Sequence, residues 1–258
     1  MGDITIIDTN PENILEYGMC GYKSLEQDGF RCKIDWIKDR ITEGMKIKTL
    51  HSEKDGTQGM IEYIPGEYAW RPVDAKGYMF IHCIFVGFKK VHKGKGYGAL
   101  LVDVCIKDAK DQNMHGVAVT TREGSFMQGK EIFLKKGFEI VDTTPPDFEL
   151  LVKYFDKKAP APKFKDDWEK VLVPYQKGLT IFRSDQCPYL GKNVPEIIAM
   201  AEDIFKLKPR IIELKSASDA QNSPCPFGIF CIAYEGQVIA HHPISKTRFR
   251  NIMQKLLA

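Results

Sequence analysis

Lys93-Gly94-Lys95-Gly96-Tyr97-Gly98 decides how the rest of this chain is read. It follows an apolar run, Tyr78 to Phe88, and opens an amphipathic segment from Ala99 to Met114. The run reads as a strand and the segment as a helix. A glycine-rich turn between the two lets backbone approach a ligand without Cβ obstruction. The helix start behind it leaves N–H groups unpaired at the positive end of the macrodipole, an arrangement suited to a pyrophosphate.

The order of the glycines narrows the nucleotide. No G-x-x-x-x-G-K-[ST] string surrounds Gly94 to Gly98, and G-x-G-x-x-G is absent because Gly94, Gly96 and Gly98 alternate. A third pattern fits: a basic residue, then spaced glycines, then an apolar helix. It resembles the coenzyme A pyrophosphate loop of the GNAT family of N-acetyltransferases. Lys93 stands where that family usually has Arg or Gln, which keeps the charge and loses the planar fork. Asn10-Pro11 with Ile14, Leu15 and Gly18 reads as an N-capped first helix after a strand Ile4 to Asp8. Met45 to Leu50, Gly59 to Trp70 and Gly116 to Thr121 read as strands. Met127 to Lys136, followed by Gly137-Phe138, matches the family's later helix and its Gly-Phe pair.

The resemblance spans residues 1–155 and implies an α/β (α+β) fold, a mixed central sheet with flanking helices. It implies an enzyme that moves acetyl from acetyl-coenzyme A to a primary amine by direct attack on the thioester. Backbone donors at Val86, Gly87 and Phe88 would polarise the thioester carbonyl. The amides of Gly94, Lys95, Gly96, Tyr97 and Gly98, with the Lys93 head group, would hold the phosphates. In the helix behind, Leu100, Leu101, Val104 and Cys105 are expected to face the core, and Asp103, Lys107, Lys110 and Asp111 to form a solvated stripe.

A free alkyl amine has a pKa of ~10 and needs a base near neutral pH. His82 is the first candidate, placed by strand alternation on one face with Phe80, Ile84 and Val86. A hydrogen-bonded core histidine is the plainer reading of the same residue. Glu62 and Glu67 are the carboxylate candidates, with Cys83 behind them. Many family members place a tyrosine, the general acid, five residues before the Phe of the Gly-Phe pair; here that position is Phe133. Phenylalanine cannot protonate a thiolate. Ser125, Tyr97 or water takes that role, or coenzyme A leaves as the thiolate, or the domain binds without turnover. Tyr63, Tyr68 and Trp70 either wall an acceptor pocket or belong to the core.

The chain has 258 residues, with 37 basic against 34 acidic side chains. That near balance, without a basic stretch interleaved with aromatics, argues against nucleic acid as a partner. No apolar run approaches membrane-spanning length, so no membrane partner is expected. Asp3, Asp8, Glu12 and Glu16 argue against a secretory signal. Seven cysteines, an odd number without regular spacing, fit reduced thiols in a cytoplasm. Cys20, Cys32 and Cys105 read as small core residues. The acceptor is expected to be a small molecule, since no long disordered or acidic peptide-binding segment is apparent.

Residues 156–167 carry the linker signal, Asp156-Lys157-Lys158-Ala159-Pro160-Ala161-Pro162-Lys163, ahead of a second domain at 168–258. There Leu179 to Arg183, a helix Val194 to Leu207 capped by Asn193, Arg210 to Leu214, a hairpin about Glu235-Gly236, and a helix capped by Ser245 give the string βαβ–ββα. This resembles a thioredoxin-like domain, and the pairing with a GNAT domain resembles the YoaP-like acetyltransferases. Cys187-Pro188-Tyr189-Leu190 stands where that fold carries Cys-x-x-Cys, with Leu190 replacing the second cysteine. Pro224 or Pro226 resembles its cis-proline. Cys187 near a helix start is a candidate reactive thiol, with Cys225 as its partner if the fold brings them together. Cys187 is otherwise a small hydrophobe left from a redox fold. His241-His242 point to opposite faces of a strand, so no metal site is expected. The second domain would cover the site, recognise the acceptor or mediate a homodimer. Against the enzyme stands a second reading, an acyl-coenzyme A-binding or thiol-redox sensing module built on Cys187. Timed alkylation at neutral pH separates the two: a redox module is expected to label Cys187 far faster than the other cysteines, and an enzyme is not.

Overall fold

A computed structural model describes residues 4–87 and 94–258, apart from the Glu169 side chain. In chain order the first part gives β1 (Ile4–Thr9), α1 (Ile14–Tyr17), α2 (Phe30–Thr42), β2 (Lys46–Ser52), β3 (Gly56–Pro65), β4 (Val73–Asp74), β5 (Met79–Val86), α3 (Tyr97–Asp111), β6 (Gly116–Thr121), α4 (Glu131–Lys135), β7 (Glu139–Thr144), β8 (Phe148–Tyr154) and β9 (Lys163–Phe164). Seven strands form one mixed sheet in the order β1-β2-β3-β5-β6-β8-β7. Within it β5 and β6 run parallel, while the other neighbours are antiparallel. A parallel pair needs a crossover, and α3 supplies it.

One face of this sheet buries Ile61, Tyr63, Ile81 and Val119 against Leu101, Val102, Cys105 and Ala109 of α3. The helix therefore presents Val102 and Ala109 to the core, with Leu100 and Val104 half-buried at the margins of the apolar stripe. Asp108 lies on the same helix, beside the core. Tyr63 Oη donates to it at 2.6 Å, Lys46 Nζ lies 3.0 Å away and Lys48 Nζ 3.6 Å. Burial alone would raise the Asp108 carboxyl, but the Tyr63 hydrogen bond and the two ammonium groups hold it below the usual carboxylate range. The network ties α3 to β2 and β3.

Several boundaries move. Asn10 Oδ1 accepts from the amides of Glu12 and Asn13, but this caps a turn, and α1 begins only at Ile14. β3 ends at Pro65 in a 3-10 turn, Gly66–Tyr68, so Trp70 is not on a strand. The helix expected over Met127 to Lys136 shrinks to α4. Cys32 is exposed rather than core, Cys20 is half-buried, and Cys105 is buried.

The chain divides into two compact units, one of Met1–Gln27, Ile34–Ala69 and Val73–Phe164, the other of Asp28–Lys33, Trp70–Pro72 and Lys165–Ala258. The second holds α5 (Trp168–Leu172), β10 (Leu179–Arg183), α6 (Leu190–Phe205), β11 (Arg210–Glu213), α7 (Ala217–Gln221), β12 (Phe230–Tyr234), β13 (Gln237–Ala240) and α8 (Lys246–Leu256). Its sheet runs β11-β10-β12-β13, with β10 and β11 parallel and the rest antiparallel. Glu235 and Gly236 both take positive φ, the conformation a two-residue hairpin turn demands. α6 starts at Leu190, not Val194, and carries Pro195 inside it. Proline there removes one i→i−4 hydrogen bond, which the buried face of Leu190, Val194, Ile197 and Ala201 outweighs. Segment 28–33 joins this unit where Gly29 meets Gly191: a Cβ on Gly191 would lie 2.3 Å from the Gly29 Cα. No helix among the described residues is long and apolar enough to cross a membrane.

Asp108→Asn is expected to destabilise the first unit by about 2 kcal/mol at pH 7, since hydrogen bonds to charged groups are worth roughly 1.5–3 kcal/mol. Because the folded carboxyl is depressed, its contribution is full above the unfolded value of about 4 and is lost as pH falls through the folded one. Urea melts of both proteins check this: the gap between them should close below about pH 4.

Candidate functional site

The sheet opens at its parallel pair. β5 is bonded to β6 only through Met79↔Val117, Phe80↔Ala118 and Ile81↔Val119. Beyond Ile81, β5 continues to Val86 on β3 alone, while β6 continues to Thr121 on β8 alone. The cause lies in a register shift. Glu62 faces Cys83 but Tyr63 faces Ile81, so His82 is the extra residue of a β-bulge. Bulges bend a strand and raise its local twist, which carries β5 away from β6.

The bulge also corrects the expected faces. Ile81, Ile84 and Val86 all pack on the α3 side of the sheet, so alternation inverts at His82. His82 keeps company with Phe80 on the opposite face, and Ile84 and Val86 do not share it. There His82 Nδ1 lies 3.3 Å from Glu62 Oε1, with both side chains almost wholly buried. The Trp36 ring of α2 stands 6.2 Å from the imidazole and the Phe80 ring 6.0 Å. Two of the candidate base residues are thus brought together at the apex of the split. Glu67 is not: it is exposed on the 3-10 turn beyond Pro65, past the closed end of the β3–β5 ladder.

Backbone donors line the open edge of β5. The Gly87 N–H donates to the Gln58 carbonyl at 2.8 Å, so it is taken up by β3 and is not the donor expected of it. By the two-residue alternation of an antiparallel ladder, the amides of Val86 and Ile84 turn to the other edge, toward the split. Phe88 and Lys93, both expected to contact the ligand, lie outside the described residues. Past them, Gly94 and Gly96 take φ of 74° and 76°, the left-handed region that favours glycine. Built Cβ atoms at either would meet nothing within 4 Å among the described residues. Gly96 is the N-cap of α3, with no side-chain cap and no acidic residue in the first turn. The amides of Tyr97, Gly98 and Ala99 therefore begin a 15-residue helix with their donors uncapped. Gly98 serves packing: a Cβ there would come 2.6 Å from Ile132 Cδ1. Lys95 is exposed, its Nζ 5.9 Å from the centre of the Tyr97 ring. An uncapped helix start behind two left-handed glycines with open space over them is a cradle that a diphosphate fits.

The remaining candidates scatter. Phe133 is fully buried, edge-on to Phe138 at 5.4 Å, and fills the core. Ser125 is exposed. Tyr63 and Trp70 are fully buried, and Tyr68 is exposed. Cys187 is half-buried three residues before α6, while Cys225 is buried with Sγ 3.4 Å from the Phe230 carbonyl. The cis bond is Pro145-Pro146, so neither Pro224 nor Pro226 is a cis-proline. His242 Nδ1 lies 2.8 Å from the Pro243 carbonyl. No group of three His, Cys, Asp or Glu among the described residues is placed to hold a metal ion. Two residues escaped the reading of the sequence: Trp36, which backs the imidazole, and Thr120, at the mouth of the split. Neither has a local signal, since Trp36 meets His82 only through the packing of α2 on the sheet and Thr120 faces the split only through strand register.

A family described as YoaP-like matches residues 210–251. The chain is 28% identical over 254 residues to the Bacillus subtilis (strain 168) protein named Uncharacterized N-acetyltransferase YoaP, covering 97% of this chain and 98% of that one. Among solved structures, a GNAT-family acetyltransferase from Staphylococcus aureus Mu50 aligns with 59% of this chain and 99% of its own, at TM-score 0.43 and 16% identity. A Bacillus anthracis protein solved with acetyl coenzyme A aligns with 43% of this chain and 63% of its own, at TM-score 0.35 and 20% identity. Sequence similarity over almost its whole length thus relates the chain to a protein named as an N-acetyltransferase.

Gly96→Val forces a β-branched side chain into the left-handed region, which costs roughly 1–2 kcal/mol and blocks the cradle. It is expected to abolish acetyl-coenzyme A binding in calorimetry with the far-ultraviolet dichroism spectrum unchanged; retained affinity would remove the phosphate site from this loop.

Proposed function

We propose that the chain acetylates the primary amine of a small acceptor, with His82 as the base and Glu62 as its support. An acetyl-coenzyme A-dependent acyltransferase is the activity that the whole-length likeness to YoaP and the GNAT-like fold support. One observation carries the reading further: the stretch of β5 beyond its ladder with β6 ends beside the start of α3, where a Cβ on Gly98 would lie 3.7 Å from Val86 Cγ2, so donors for a thioester carbonyl and for a diphosphate share one edge.

Acetyl-coenzyme A, when bound, supplies an activated acyl thioester. The helix start at Gly96 to Ala99 holds its diphosphate, at about 0.3–1 kcal/mol per favourable terminus interaction and up to ~2 when partly buried. The Val86 N–H, directed into the split, polarises the acyl carbonyl; a preorganised donor of this kind is worth roughly 3–4 kcal/mol. His82 takes the proton of the amine, directly or through one water, and Glu62 fixes the imidazole and stabilises its charged form. Phe133 supplies no proton to the departing sulfur. None is required of a leaving group with an ordinary thiol pKa of about 8.5.

The absence of an evident peptide-binding segment supports a small acceptor. Seven cysteines, an odd number without regular spacing, support a reducing compartment such as the cytoplasm. The strand order β11-β10-β12-β13 supports a thioredoxin-like second unit, and Leu190 in place of the second cysteine makes it a recognition, covering or dimerisation module rather than a dithiol oxidoreductase. Coenzyme A release across a panel of small amines tests the reading. Release is expected to require an added amine, and His82→Ala or Glu62→Gln to lower kcat by about 10²-fold, in the range of general base catalysis, with acetyl-coenzyme A affinity retained. Full turnover by both variants would remove the base assignment.

A further inference from the structure

The wall of the split opposite His82 is formed by β6, and its last two residues are threonines. Both are buried, Thr120 at 5% exposure and Thr121 at 0%. Neither hydroxyl has a hydrogen-bond partner among the described residues. Their backbone is held on the far side by β8, through Thr120↔Leu150 and Thr121↔Glu149, so the unmet groups are the hydroxyls. Alternation separates them. Val117 and Val119 belong to the core under α3, which puts Thr121 on that face and Thr120 on the other.

Register then places Thr120 relative to the base. The parallel ladder ends at Ile81↔Val119, so His82 and Thr120 are the next opposed positions, the first across which the strands have parted. Both lie on the face away from α3. A buried hydroxyl without a partner lowers stability, and an apolar residue of the same shape would not carry that cost. Ala118, the neighbour of Thr120 on the same face of this strand, is apolar and fully buried. Packing alone gives no reason for threonine at 120.

We propose that Thr120 positions the acceptor: its Oγ1 accepts a hydrogen bond from one N–H of the incoming amine, which aims the nitrogen lone pair at the acyl carbon and turns a second N–H toward His82. The inference rests on the acetyl-transfer reading above, and it assigns the acceptor class as one that keeps an N–H for this contact while its other proton goes to His82. A primary amine fits; a tertiary amine does not.

Steady-state kinetics on Thr120→Val and Thr120→Ser, with thermal melts of each, test it. Valine is expected to leave Tm unchanged or higher, to leave the KM for acetyl-coenzyme A unchanged, and to lower kcat/KM for the amine about tenfold, the scale of one lost hydrogen bond. Serine is expected to restore most of that loss. Unaltered amine kinetics in the valine variant overturn the proposal. So does a fall in Tm with equal losses toward both substrates, which marks a structural role. Should the valine variant fail to fold, Thr120→Ala against Thr120→Ser reads the same contrast. Wild-type protein that releases no coenzyme A with any amine overturns the acetyl-transfer reading and this inference together. Wild-type turnover with insensitive Thr120 variants overturns this inference alone.

Discussion

The site depends on one extra residue in one strand. Because His82 bulges out of the ladder with β3, β5 changes its twist there and loses β6 after Ile81. A strand inside a sheet normally spends its amides on both neighbours. Here the part of β5 beyond the bulge spends them on β3 only, which leaves Ile84 and Val86 with donors directed into a gap. The same event puts His82 and Glu62 on the face opposite the α3 core. The turned amides, the buried His82–Glu62 pair and the opening follow from a single register shift.

A sheet that parts in its middle must be held at the margins. Asp108, gripped by Tyr63, Lys46 and Lys48, fixes α3 against β2 and β3. Across the split, β6 is paired with β8 along its whole length, so its free edge does not fray toward β5. α3 spans the two halves of the sheet as the crossover. Its start stands beside the place where the strands part, which is why an anion cradle and a backbone donor occur together. Neither would serve a thioester-bearing nucleotide alone.

The second unit uses the same physics for a different end. Its sheet has a parallel pair joined through α6 and a hairpin closed at Glu235-Gly236. α6 begins at Leu190, a buried apolar residue, so the position after Cys187-Pro188-Tyr189 contributes to the core and not to thiol chemistry. Cys225 and Cys231 are buried too: burial pushes the Cys231 thiol up, whereas hydrogen bonds from Cys231 and His241 outweigh burial at Cys225 and bring its thiol down to about 5.

Local chemistry was readable from the residues in order. Strands such as Gly116–Thr121 and Leu179–Arg183 show their limits by composition, and the Gly94-x-Gly96 turn by the backbone freedom it requires. Phe133, with no hydroxyl, likewise excludes an acid whatever surrounds it. The helix Leu190–Phe205 misled because Asn193-Pro195 imitates a cap, and apolar burial on one face overrode that local preference. The face of His82 was not readable, because a bulge is a relation between two strands and leaves period-2 alternation intact in each sequence taken singly. The unmet hydroxyl of Thr120 was hidden for the same reason: whether a polar atom finds a partner is decided by what folding brings beside it. The sequence by itself determined where backbone bends and which groups each position offers. Only the tertiary structure decided which of those groups meet, since cross-strand register is set by the packing of the whole sheet.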